Sequence, residues 1–111
     1  MSVHSVRFVG LEVSDASAHT PYTVPAGQRA ILKCVTVKNK ATAAAACAVF
    51  AKTSGGAFVF DFAFYLTATN TNGDTYIALP WVVLNAGDVL GFQFGGAAGG
   101  FCSMSGALLT L

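Results

Sequence analysis

The sequence predicts an all-β chain, folded as a single antiparallel β-sandwich of jelly-roll type over residues 1–111. Three observations lead there. Short segments rich in β-branched and aromatic residues recur between clusters of turn residues. No segment of any length shows convincing helical periodicity. The 111 residues fit one compact domain and leave no room for a second. About eight main strands favour a jelly roll over an immunoglobulin-like sandwich, for which the Cys-Trp-Cys spacing is missing.

The first strand is expected from Ser5 to Val13, followed by the polar loop SDASAH. Thr20 to Val24 reads as a short strand that the turn Pro25-Ala26-Gly27 ends, and Arg29 to Asn39 as the third and longest. The next segment, KATAAAACAVFAK, holds alanines that favour a helix. Its flanks decide for a strand, because Val49 and Phe50 run into the hairpin turn Thr53-Ser54-Gly55-Gly56. Small side chains there would let another layer or another subunit approach closely.

Ala57 to Thr67 carries the strongest alternation. Phe58, Phe60, Phe62, Phe64 and Leu66 share one face, and Val59, Asp61, Ala63 and Tyr65 the other. The phenylalanine face is expected in the core at roughly 1.5–3 kcal/mol for each fully buried side chain. Truncating Phe60 or Phe62 to Ala is accordingly expected to cost about 3–5 kcal/mol.

After the loop ATNTNGD come TYIALP and WVVL, separated by Pro80, which marks an edge, bend or bulge. Asn85, Gly87 and Asp88 form the tight turn NAGD. It leads into Val89 to Phe94, whose Leu90, Phe92 and Phe94 are further core residues. GGAAGG is a glycine loop, and Phe101 to Leu111 the closing strand.

Apolar residues make up 54% of the chain and charged residues 10%, against about 25% charged in ordinary soluble domains. A chain of this size cannot bury all of that apolar surface within itself. No stretch has the roughly 18 consecutive apolar residues of a membrane helix, and a transmembrane barrel needs more strands than the length provides. No membrane association is expected, and the surplus reads as contact between subunits. Met1 is not followed by a basic-apolar-small signal pattern, so no cleaved secretion signal is expected. A net charge of +1 gives no electrostatic case for nucleic acid.

Chemistry-bearing constellations are sparse. Cys34, Cys47 and Cys102 sit in apolar strands without CxxC or CxxH spacing, as buried free thiols do. His4 and His19 have no third ligand at metal-binding spacing. Asp74 and Asp88 lie in NGD and AGD turns, where a carboxylate bonds nearby backbone N–H groups. GxSxG is absent, and GGAAGG lacks the Lys-Ser/Thr and helix of a phosphate loop. No catalytic residue, metal or cofactor is expected. Arg29, Lys33, Asp61 and Trp81 are the candidate interface residues, with Lys38 and Lys40 beside them as rim or edge-protecting charges.

Two motifs carry a resemblance. YTVPAGQRAILKCVTVKN, from Tyr22, resembles the YTVPAGKR…I…V.N opening of small all-β virion proteins of tailed bacteriophages. WVVLNAGDVLGFQF resembles their later LxAGDxL turn. Order and separation match over about Tyr22 to Leu111. The resemblance implies a jelly-roll-like virion protein without catalytic residues, most simply a homotrimeric capsid decoration (cement) protein bound to the major capsid protein. A tail or baseplate protein that binds a host glycan through Trp81, Tyr76 and the Asn70 to Asp74 loop is the alternative.

Overall fold

The computed structural model describes residues 2–66, 75–78 and 80–111, except the side chains of 75 and 76. The described residues form nine strands: β1 (Ser2–Val13), β2 (His19–Thr23), β3 (Gln28–Asn39), β4 (Ala45–Lys52), β5 (Phe58–Leu66), β6 (Thr75–Ala78), β7 (Val82–Leu84), β8 (Val89–Phe94) and β9 (Gly100–Thr110). The alanine-rich segment is a strand from Ala45 on, as its flanks predict.

All pairings are antiparallel and make two sheets. One runs β1-β9-β3-β6, with β7 also on β3; the other runs β2-β8-β4-β5. Since β6 and β7 share the same edge of β3, each sheet is four positions wide. This is the jelly-roll sandwich expected from the sequence. The break between β6 and β7 contains Pro80, which has no N–H to donate to a ladder, and Trp81, whose φ of 50° turns the chain.

The core lies between the sheets. Leu32, Val35 and Val37 of β3, with Cys102 and Met104 of β9, face Cys47 and Val49 of β4 and Leu90, Phe92 and Phe94 of β8. Phe92 and Phe94 meet edge to face, with ring centroids 5.8 Å apart. Phe8 and Tyr22, with centroids 4.9 Å apart, join β1 to β2 across one open side of the sandwich.

The β5 expectation is corrected at two positions. Phe60 and Phe64 are half-buried against the core, but Phe58 is 57% and Phe62 37% exposed. For Phe58 the cause is a bulge. Ala51 pairs with Phe60 and Lys52 with Phe58, so Val59 is an extra residue and Phe58 points to the outer face. For Phe62 the cause is position. It faces inward, opposite the buried Val49, but from a strand at the sheet's edge, where the opposing layer covers it only in part.

Three free thiols are present, with Cys47 and Cys102 buried and Cys34 half-buried. Burial pushes the Cys47 thiol up to about 12. Cys102 is raised further, by burial and by the nearby Cys47. Both thiols ionise more easily in the unfolded chain, which therefore binds fewer protons above the ordinary thiol value of 9.0. Stability should consequently fall as pH rises through that value. The denaturant midpoint is expected to drop between about pH 8 and about pH 11; an unchanged midpoint would mean that the two thiols are solvated in the native state.

Candidate functional site: turns, edges and outer faces

The two resemblance motifs meet in space. Gly27 (φ 74°) and Gly87 (φ 89°) supply the left-handed backbone of their turns. The Gln28 N–H donates to the Pro25 carbonyl at 3.3 Å. The Asp88 N–H donates to the Asn85 carbonyl at 3.0 Å, and the Asp88 carboxylate accepts from the Asn85 N–H at 2.8 Å. Between the turns, the Val24 N–H donates to the Asp88 carbonyl and the Gly87 N–H to the Val24 carbonyl, both at 2.9 Å. Buried Val24 and Asp88 thus clamp β2 to β8. Nothing in the sequence spacing announces this clasp, because it joins residues that the fold alone brings together.

On the outer face of the β1-β9-β3 sheet, the rows Glu12–Phe101–Lys38, Gly10–Ser103–Thr36 and Arg7–Ser105–Cys34 lie across the three strands. Arg7, Glu12, Lys38 and Phe101 line a shallow groove there. The Lys40 ammonium bonds the Glu12 carboxylate at 3.0 Å and the Ser14 hydroxyl at 2.9 Å, which ties the end of β3 to β1. Farther along, Val3, Ile31, Val83 and Leu109 share this face, with Val3 and Val83 exposed.

On the outer face of the other sheet, Ala46, Ala48 and Ala63 make a flat stretch, with Gln93 beside Ala48 and the exposed Tyr65 opposite Ala46. Gln93 donates its amide to the Ala16 carbonyl at 2.8 Å. Toward the other end, the Lys52 ammonium lies 4.8 Å from the Phe58 ring centre and 5.2 Å from that of Phe50. Phe50 is buried on this outer face because it lies over Gly91, where an added Cβ would come within 2.5 Å of its ring.

The four candidate interface residues do not converge. Lys33 and Trp81 are brought together, with the ammonium 5.0 Å from the indole centre. Lys33 is the extra residue of a β3 bulge between Leu32 and Cys34, while Trp81 is 64% exposed. Arg29 is exposed, paired with Leu109 toward one end of β3. Asp61 is exposed on the outer face of the opposite sheet and makes no ion pair among the described residues. The Asn70 to Asp74 loop and the Tyr76 side chain lie outside the described residues.

The polar inventory is small. The His19 imidazole lies 2.7 Å from the Asp15 carboxylate and holds that carboxyl below its ordinary value. Among the described residues no three His, Cys, Asp or Glu side chains are grouped so that they could hold a metal ion. No helix among them is long and apolar enough to cross a membrane. The glycine loop GGAAGG carries backbone hydrogen bonds: the Gly95 N–H donates to the Ala46 carbonyl, the Gly99 N–H to the Gly96 carbonyl, and the Lys40 N–H to the Gly99 carbonyl.

No family model matches this sequence, and no curated protein is significantly similar to it. Solved structures share the fold. A protein of the Bacillus endospore appendages, described as disulfide-linked pili, superposes with a TM-score of 0.60 at 16% identity over 99% of this chain and 89% of its own. The Drosophila NLP core, described in terms of pentamer formation and histone binding, gives 0.52 at 17% identity over 98% and 99%. A chain from infectious bursal disease virus, Gx strain, gives 0.51 at 13% identity over 96% of this chain and 31% of the viral one. At these identities the likeness is one of fold: the chain is similar to these proteins as a β-sandwich.

Proposed function

We propose that this chain is a non-enzymatic structural protein of a bacteriophage virion, a capsid decoration protein that binds the major capsid protein lattice as an oligomer and stabilises it. The observation that carries the reading is apolar side chains left exposed on both outer faces: Val3, Val83 and Phe101 on one sheet, Phe58 and Tyr65 on the other. These side chains lie apart along each face, and a partner that covered either face would bury them. The virion context comes from the PAG and NAGD motifs, and the same resemblance implies a trimer. Contacts that are mainly apolar are little affected by salt, and repetition on a symmetric shell adds avidity to each modest contact.

Exposed Trp81 favours a second reading, a tail or baseplate protein that stacks a host glycan on the indole. Lys33 already occupies one position over that ring, which weighs against it. Imaging of intact virions labelled for this protein separates the two. Label spread over the shell is the expected result. Label confined to the tail would overturn the decoration reading.

A further inference from the structure

Sheet edges present unpaired N–H and C=O groups, and folded proteins ordinarily blunt them with proline, charge or bulges. Three of the four edges here are treated this way. β2 contains Pro21. The β6–β7 edge is interrupted at Pro80 and Trp81. β1 carries Arg7 and Glu12 and is bulged between Arg7 and Val9. β5 is the least protected: its bulge at Val59 lies next to the strand's first residue and leaves the rest of the edge straight. The strand runs nine residues, FVFDFAFYL, with one charge and no proline, and among the described residues it pairs with β4 alone.

We infer that β5 is a self-pairing edge: two copies of this chain join β5 to β5 in antiparallel fashion about a two-fold axis, fusing two four-stranded sheets into one. The strand's own sequence selects this occupant. A two-fold axis perpendicular to the sheet pairs residues of the same face, so the axis must pass beside a residue and not between residues. Centred on Phe62, the pairing spans Val59, the bulge residue, to Tyr65, with its regular part from Phe60 to Tyr65, and sets Asp61 of each copy opposite Ala63 of the other. Phe60 then faces Phe64, and Val59 faces Tyr65, aromatic and aromatic–β-branched pairs that stabilise antiparallel strands. Centred on Asp61, the same strand would set two carboxylates face to face. The pairing also covers what the monomer leaves open. The Phe62 ring, 37% exposed and 5.1 Å from that of Phe60, would meet its own counterpart.

This deepens the proposal above and rests on its self-association, not on where the protein sits in a virion. A two-fold contact makes even-numbered assemblies: a dimer, or two of the trimers that the resemblance implies. The test is the solution mass of the wild-type protein and two variants, by light scattering and sedimentation. The wild type should be an even multiple of the protomer. Ala63→Lys, which places an ammonium opposite Asp61, should associate at least as tightly as wild type. The double variant Asp61→Lys/Ala63→Lys sets lysine against lysine twice and should associate roughly tenfold more weakly. Both positions are exposed, so an unchanged melting temperature is expected of the separated chains. A wild-type monomer or odd-numbered oligomer overturns the contact, as does a double variant that associates like the single one. Either result leaves the virion location to the particle imaging.

Discussion

Gly106→Ala should abolish folding, or reduce it to a state without the native β3–β9 pairing. Gly106 lies in β9 opposite Leu32, at the point where the β3 bulge inserts Lys33. A Cβ at Gly106 would sit 1.8 Å from the Ile31 carbonyl oxygen and 3.0 Å from the Lys33 nitrogen. Both are backbone atoms of the neighbouring strand, so no side-chain rotation relieves the clash and the strands must separate. Strand β9 lies between β1 and β3, so the disturbance reaches the centre of the sheet. Circular dichroism and soluble yield are the readouts. As a control, Ala at Gly55, which would meet only the Thr53 hydroxyl at 3.8 Å, should fold like the wild type. Native stability in Gly106→Ala would show that β3 and β9 do not approach as described.

Phe92→Ala should destabilise the protein by about 3–5 kcal/mol, the range for deleting a buried aromatic ring from a packed core. Phe92 is fully buried, pairs with Val49 across the sheet, and contacts both Phe94 and the His19 ring. Such a loss is a large share of the total stability of a small domain. Phe62→Ala should cost clearly less, since that ring is already partly in solvent and truncation leaves a smaller void. Denaturant unfolding of the two variants side by side decides the matter. Equal losses would mean that Phe62 is covered in solution, which is also what β5 pairing predicts for associated protein, so the comparison belongs at concentrations where the chain is dispersed.

The β class was legible because its signals are local. Residues of alternating character between turns form strands whatever lies beyond them, and Val89 to Phe94 is a strand with its inward residues as predicted. The neighbours Val49 and Phe50 resolved the alanine-rich segment as a strand, which holds from Ala45 to Lys52 but not over residues 40–44. Phe58 was misplaced because a bulge is a property of two paired strands, and strict alternation along β5 contains no sign of the extra residue that β4 imposes. Phe62 was misplaced because alternation assigns a face and says nothing about how far an edge strand is covered.

The candidate contacts divide in the same way. Composition alone established that this chain has more apolar surface than a domain of its size can bury, since that follows from counting residues against area. That Phe62 remains partly outside was decided by the order β2-β8-β4-β5, which puts the most aromatic strand at an edge. The turn motifs were visible as PAG and NAGD. Their mutual clasp through Val24, Gly87 and Asp88 arises only when β2 and β8 pair. Alternation and turn chemistry act over a few residues and can be read along the chain. Pairing order, bulges and edge exposure depend on partners tens of residues away, and they exist only once the two sheets have closed on each other.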